Sequence, residues 1–311
     1  MRVGMFIGDA TSHRTTVEEL IANARWADEH GLATGWVPHI PWSLDGLVAL
    51  ALAGQVTSRI ELGTAVMPTY PRHPLAMAQQ ALSVQAACHG RLALGIGPSH
   101  PVVIERMHGL SYERPIRHLS EYIAVLDASS VGPGMVRFDG EMYHVDALLD
   151  VPGATPVPVL IAALAPQMLR LAGERTTGTI TYWADERSVG EHVVPRISEA
   201  ATKAGRPAPR VVVGLPIAIC DDAPAAREEA VAAFAAYTAI PTYQRILARG
   251  DSGSPADVAV IGDERAATAR LRSFADAGAT DVMLAVVGLG PDHEQTRRRT
   301  AEFIASIAGG V

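Results

Sequence analysis

The 311 residues are 48% hydrophobic and 19% charged, enough apolar content for one large barrel or two ordinary domains and too much for a disordered chain. A formal charge of -7 argues against a general nucleic-acid binder, whose footprint is basic. No apolar run approaches the roughly 18 residues of a membrane span, and the N-terminal MRVGMFIGDATSH turns polar within a few positions, so a cytoplasmic protein without signal peptide or membrane contact is expected.

Cys88 and Cys220 lie far apart without CxxC or Cys/His ligand spacing, which reads as two reduced thiols and no zinc site. Lys203 is the only lysine and sits at a polar helix end. Schiff-base chemistry needs a desolvated lysine, so lysine aldolases and pyridoxal-phosphate enzymes are poor readings.

Short apolar runs alternate with amphipathic segments along the chain, the pattern of βα units around a parallel sheet. Strands are expected at 3–7, 34–38, 60–66, 92–96, 158–162, 178–183, 211–219 and 281–287. Helical faces fall between them, such as Leu20, Ala24 and Ala27 before Gly31, and Leu271, Phe274 and Ala275 before Gly278. Eight such units make a (β/α)8 TIM barrel of the α/β class, a single domain over 1–311. Such a barrel needs about 250 residues, so the surplus is expected as insertions at about 101–157 and 237–260. The first holds two helical stretches, one ending near Gly109 and one at 115–128, followed by VRFDGEMYHV with a hairpin turn at Asp139-Gly140. The second runs from YTAIPTYQRILARG to SGSPAD. Both follow the strand-to-helix sense and are expected over the C-terminal mouth as lids.

The strand ends read Asp9, His39, Met67, Pro98, Leu164, Asp185, Asp221 and Gly288. They offer no H-x-H, no facing glutamates and no carboxylate triad, which removes metallohydrolase, glycosidase and enolase-type readings and predicts no metal. Gly63, Thr64, Ala65, Gly95 and Gly97 put no bulk at the mouth. Such a lining suits a flat redox cofactor that brings its own chemistry.

The series LGTAVMPTYPRHPLAMAQQALSVQAA, GRLALGIGPSHPVVIERMHGLSYERPIRHLSEYI, PVLIAALAPQMLRLAGE and GDERAATARLRSFADAGATD resembles the bacterial-luciferase-like superfamily, and within it the branch using the deazaflavin coenzyme F420. The resemblance covers nearly the whole chain. It implies a deazaflavin or flavin ring across the C-terminal mouth and a non-proline cis peptide at Ala65-Val66. It also implies cofactor contacts at His39, Thr64, Ala65, Val66, Met67, Gly97 and Ser99, with the amides of Ala163, Leu164 and Ala165 at the cofactor phosphate, where a helix dipole favours an anion.

His39 is the candidate catalytic residue, since an imidazole can hydrogen-bond a ring carbonyl or move a proton near neutral pH. The chain departs from the family pattern twice. Pro38 replaces the acid that often precedes this histidine in deazaflavin dehydrogenases, and Pro98 stands where sugar-phosphate dehydrogenases carry a glutamate. Ser99 and His100 read either as cofactor contacts or as an N-cap pair for a helix near Pro101. GLGPD at 288–292 is a competing phosphate site unless Asp292 caps the last helix, and Arg72 and His73 read as helix entry. Trp42, Trp183 and His100 are candidates for the substrate pocket, and Tyr70 and Tyr182 also lie near strand ends.

The expected activity is hydride transfer between F420 and a small organic substrate, with reduction of a C=C or C=N bond and His39 or a water relaying the proton. An FMN-dependent luciferase-like monooxygenase and a non-catalytic flavin- or deazaflavin-binding protein are the alternatives. The apolar LVALALAG at 47–54 permits a homodimer.

Overall fold

The computed structural model describes residues 1–9, 14–130 and 132–311. In chain order the strands are β1 (Arg2–Phe6), β2 (Thr34–Val37), β3 (Glu61–Thr64), the two-residue β4 (Met67–Pro68), β5 (Leu92–Gly97), β6 (Gly134–Asp139), β7 (His144–Leu149), β8 (Val159–Ala162), β9 (Gly178–Tyr182), β10 (Arg210–Ile219), β11 (Val260–Gly262) and β12 (Asp281–Val286). Eight of them, β1, β2, β3, β5, β8, β9, β10 and β12, pair in that order, all parallel, and β12 returns to β1. The sheet has closed on itself, with helices following each strand, so the expected TIM barrel is the fold.

Local chemistry explains the helix starts. Thr16 and Glu19 form a capping box before Val17–Glu29, while Asp45, His73, Asp263 and Asp292 accept backbone N–H groups at the starts of Gly46–Gly54, Pro74–Ala87, Glu264–Asp276 and His293–Ser306. His73 is thus a helix cap, as its place before Pro74 suggested.

Inside the barrel, Phe6, Trp36, Ala93, Leu160, Ile180, Val212, Met283 and Ala285 form one buried cluster. Two glycines make that filling possible. A Cβ on Gly63 would stand 2.3 Å from the Trp36 ring, and one on Gly214 would stand 2.5 Å from the Tyr182 ring. Gly63 is therefore small for Trp36, not for a ligand, which corrects its reading as part of the open mouth. At the opposite end, where the strands begin, Arg210 pairs with Asp281 at 2.7 Å and Glu61 at 2.9 Å, and Arg2 adds a second guanidinium at 3.3 Å from Asp281.

The expected strand 60–66 divides. β3 ends at Thr64, the Ala65-Val66 peptide is cis, and β4 resumes beside β5 with Met67 opposite Ile96 and Pro68 opposite Gly97. The 101–157 stretch contains a π-helix at Val102–Met107, the helix Pro115–Ser129 and the antiparallel β6–β7 pair. Its hairpin turn includes Gly140, after Asp139, but is longer than a two-residue turn because Asp139 pairs with His144. After β10, the helix Ala223–Ala233 precedes the expected 237–260 stretch, which is folded into short helices at Ala235–Thr238, Pro241–Leu247 and Pro255–Val258. β11 then pairs with β10, an added strand too short to stand out as an apolar run.

Among the described residues no helix is long and apolar enough to cross a membrane. No group of three or more metal-ligating side chains stands together among them. Cys88 and Cys220 are free and buried.

Candidate active site at the barrel mouth

His39 stands just past β2 in the loop leading to Gly46–Gly54. Its Nδ1 accepts the Gly46 N–H at 3.2 Å, which leaves the proton of the neutral ring on Nε2. Asp45 Oδ2 lies 3.7 Å from the same Nδ1 and 2.5 Å from Arg72 Nη2. Asp45, six positions after His39, thus places beside the imidazole the carboxylate that Pro38 does not supply. Burial lowers the His39 pKa below its usual value; Asp45 opposes this, while Arg72 and His108 reinforce it. Burial alone would raise the Asp45 carboxyl, but the Val48 amide, Arg72 and His39 outweigh it and hold the group below the usual carboxylate value. Arg72 is therefore more than a helix-entry residue.

The floor comes from β3, β4 and β5. A Cβ on Gly46 would meet Met67 Sδ at 3.1 Å, His39 Cβ at 3.5 Å and Thr64 Cγ2 at 3.7 Å, so these predicted residues converge on one point. Thr64 and Met67 are fully buried, and Thr64 Oγ1 donates to the Gly95 carbonyl at 2.7 Å. Their side chains shape the floor from beneath. Ala65 and Val66 are part exposed. A Cβ on Gly95 would lie 2.1 Å from the Thr64 carbonyl oxygen, and one on Gly97 would lie 3.1 Å from Ala162 Cβ and 3.2 Å from Val66 Cγ2. Close approach of the Thr64 backbone requires glycine at 95, while Gly97 sits in a tight place between Ala162 and Val66.

Ser99 follows with φ of 63°, in the left-handed region, and its carbonyl accepts Tyr112 Oη–H at 3.2 Å. His100 does not cap a helix with its side chain; its carbonyl accepts the Val103 and Ile104 amides, and its ring meets Tyr243 edge-on at 5.5 Å. Burial lowers the His100 pKa.

Beyond β8, Ala163 is buried, Leu164 is part exposed and Ala165 is exposed. Ala165 begins the helix Pro166–Arg175, which no side chain caps. The Leu164 carbonyl accepts His192 Nε2–H at 2.7 Å, which fixes this turn. The competing GLGPD segment is committed elsewhere: Asp292 caps the last helix, and Glu229 accepts the Gly290 N–H at 2.7 Å. An acid in that place repels phosphate.

The substrate-pocket candidates separate. Trp42 is 52% exposed, whereas Trp183 is wholly buried against Tyr182, Phe234 and Tyr237 at ring distances of 4.8, 5.0 and 4.9 Å. Trp183 therefore lies beneath the second insertion. Asp185 anchors that insertion, its carboxylate accepting the Ser188, Asp251 and Ser252 amides at 2.9, 2.7 and 2.9 Å.

Sequence reasoning missed Asp45, Tyr237, Tyr243 and a polar chain through His118. Tyr143 Oη–H donates to His118 Nδ1 at 3.0 Å, His118 Nε2–H donates to Thr69 Oγ1 at 2.8 Å, and Thr69 donates to the Gly97 carbonyl at 3.3 Å. Tyr70 stacks on the His118 ring at 3.8 Å. Only the polar residues in an otherwise apolar helix face, His118 and Glu121, signalled this arrangement in the sequence.

The profile of the luciferase-like monooxygenase family matches residues 1–305. An F420-dependent glucose-6-phosphate dehydrogenase of Gordonia bronchialis is 33% identical over 63% of this chain, and the match spans 62% of that protein. A 5,10-methylenetetrahydromethanopterin reductase of Methanolobus tindarius is 29% identical over 67% of this chain and 63% of its own length. The chain thus spans a little under two thirds of both relatives. An F420-dependent secondary alcohol dehydrogenase, solved with an F420-acetone adduct, superposes with a TM-score of 0.81 at 17% identity over 97% of each chain, a likeness of fold. The motif series of 62–100 and the closed barrel agree with a match that runs from the first residue to 305, and the chain belongs to the luciferase-like monooxygenase family.

Proposed function

We propose that the protein is an F420-dependent oxidoreductase that moves a hydride between the deazaflavin and a small organic substrate, in the reducing direction onto a C=C or C=N bond. The observation that carries this reading is the small, part-exposed edge of Ala65, Val66 and Ala162, which meet about the buried Gly97 and leave little side-chain bulk to keep a flat ring away. The relatives named for F420 favour the deazaflavin over other flat cofactors. The ring would rest on Ala65, Val66 and Gly97, and the amides of Ala163, Leu164 and Ala165, at the start of a helix that no side chain caps, would meet the anionic tail.

When bound, the deazaflavin supplies the carbon that gives or takes hydride. His39 offers Nε2–H to a carbonyl and, being held neutral, can return a proton to its ring and pass it on. The aromatic side chains of the insertions exclude water from this place. Pro98 in the position of the family's acid disfavours sugar-phosphate oxidation.

The test is titration of the purified protein with F420 and with FMN, followed by stopped-flow bleaching of reduced F420 with cyclic enones and imines. F420 is expected to bind at least about ten-fold tighter than FMN, a difference of about 1.4 kcal/mol. His39→Ala is expected to slow bleaching about 100-fold or more. Tight FMN binding without F420 binding would overturn the assignment in favour of an FMN monooxygenase, the reading that the family's description favours. F420 binding with no bleaching across the panel would leave a non-catalytic binder.

A further inference from the structure

At the end of β9 two aromatic donors find no partner. Tyr182 Oη and Trp183 Nε1 are both sealed from solvent, and neither has a hydrogen-bond partner among the described residues. Buried hydroxyl and indole N–H groups are ordinarily paired, because water was given up to bury them. Two unpaired donors on consecutive residues are a feature to explain.

Neighbouring strand residues point to opposite faces, so their rings do not normally touch. Trp183 instead has φ of 60°, a rare conformation for a bulky residue, and its ring lies 4.8 Å from that of Tyr182. Residues held in such conformations cluster where ligands bind. The left-handed turn at Trp183 is what brings the two rings side by side.

Rings surround the two donors. Tyr237 lies 6.3 Å from Tyr182 and 4.9 Å from Trp183, Tyr243 lies 6.0 Å from Tyr237, and His100 lies 5.5 Å from Tyr243. Phe6 of the barrel cluster meets Tyr182 edge-on at 6.3 Å, so the rings run from the top of the barrel filling to the first insertion. Burial is what moves His100 and Tyr237, and the groups acting on Tyr182 and Tyr243 besides burial are other tyrosines. Among the described residues no arginine or lysine acts on these four groups, as one placed to hold a phosphate or carboxylate would.

We infer that the substrate carries a neutral hydrogen-bond acceptor, a carbonyl oxygen or imine nitrogen on a flat apolar frame, received by Tyr182 Oη–H and Trp183 Nε1–H beneath Tyr237 and Tyr243. The inference rests on the mouth being the redox site proposed above. An indole N–H can only donate, so the group opposite it must accept. The rings supply flat apolar surface on which a conjugated frame stacks.

Calorimetric titration of the F420-loaded protein with 1-indanone, indane and 1-naphthyl phosphate tests this. Indanone should bind at least about ten-fold tighter than indane, and the phosphate more weakly than indanone. Tyr182→Phe and Trp183→Phe should each weaken indanone about five- to ten-fold and leave indane unchanged. Tyr182→Phe deletes an unpaired hydroxyl and no ring, so the melting temperature of the unliganded protein should hold or rise. If Trp183→Phe does not fold, Tyr182→Phe decides alone. Absent indanone binding, equal binding of indanone and indane, preference for the phosphate, or indifference to Tyr182→Phe would each overturn the inference. F420 affinity is measured in the same series. A wild-type protein that ignores F420 sinks the oxidoreductase reading, while the contrast between indanone and indane still decides this one on cofactor-free protein.

Discussion

At His39 the acid beside the imidazole comes from later in the chain than the family pattern suggests. Asp45 caps Gly46–Gly54, binds Arg72 and faces His39 Nδ1, three roles that only the folded loop combines. His39 was legible as a polar residue at an apolar strand end; Asp45 was not, because a lone aspartate before a helix reads first as a cap. Asp45→Asn keeps the cap but removes the charge that favours imidazolium. The His39 pKa, already lowered by burial, should fall further, and the acid limb of kcat/KM for F420 turnover should move to lower pH. A limb that stays in place or moves upward would show that Asp45 does not act on His39.

At the scale of elements, the hairpin β6–β7 is tied to the floor through His118. Both imidazole nitrogens are engaged by Tyr143 and Thr69, and Thr69 reaches Gly97. Glu121, one turn further along the same helix, accepts the Met142 amide at 2.8 Å and grips the hairpin turn. Burial pushes the His118 pKa down to about 4, with Glu121 offsetting part of this. The unfolded chain then takes up a proton near pH 6.5 while the folded chain resists it, so the stabilisation is present above 6.5 and is lost as pH falls toward 4. The loss is roughly 3 kcal/mol. Urea unfolding between pH 7 and 4 should show this decline in the wild type and a flatter profile in His118→Gln; parallel profiles would contradict it. The helix Pro115–Ser129 and the hairpin were both legible from local periodicity. Their attachment was not, because His118 and Thr69 are 49 positions apart.

For the molecule as a whole, closure depends on the base as well as the mouth. Arg210 holds Asp281, which is 1% exposed, and Glu61 across the strand starts. Arg210→Ala would strand a buried carboxylate and should cost about 3–5 kcal/mol of stability, read from urea or thermal unfolding; a change within error would mean that Arg2 and water suffice. The eight strands, the helix caps and the family motifs are carried by local apolar period, small residues and capping side chains, and these are written along the chain. The division of 60–66 around Ala65-Val66, the filling of the space above Gly63 by Trp36, and the meeting of His100 with Tyr243 come from strand register and barrel closure. Closure brings distant segments within contact range, and no local pattern encodes which side chains then touch. The sequence by itself determined the barrel and its mouth, while the tertiary structure decided which residues share that mouth and which donors are left unpaired among the described residues.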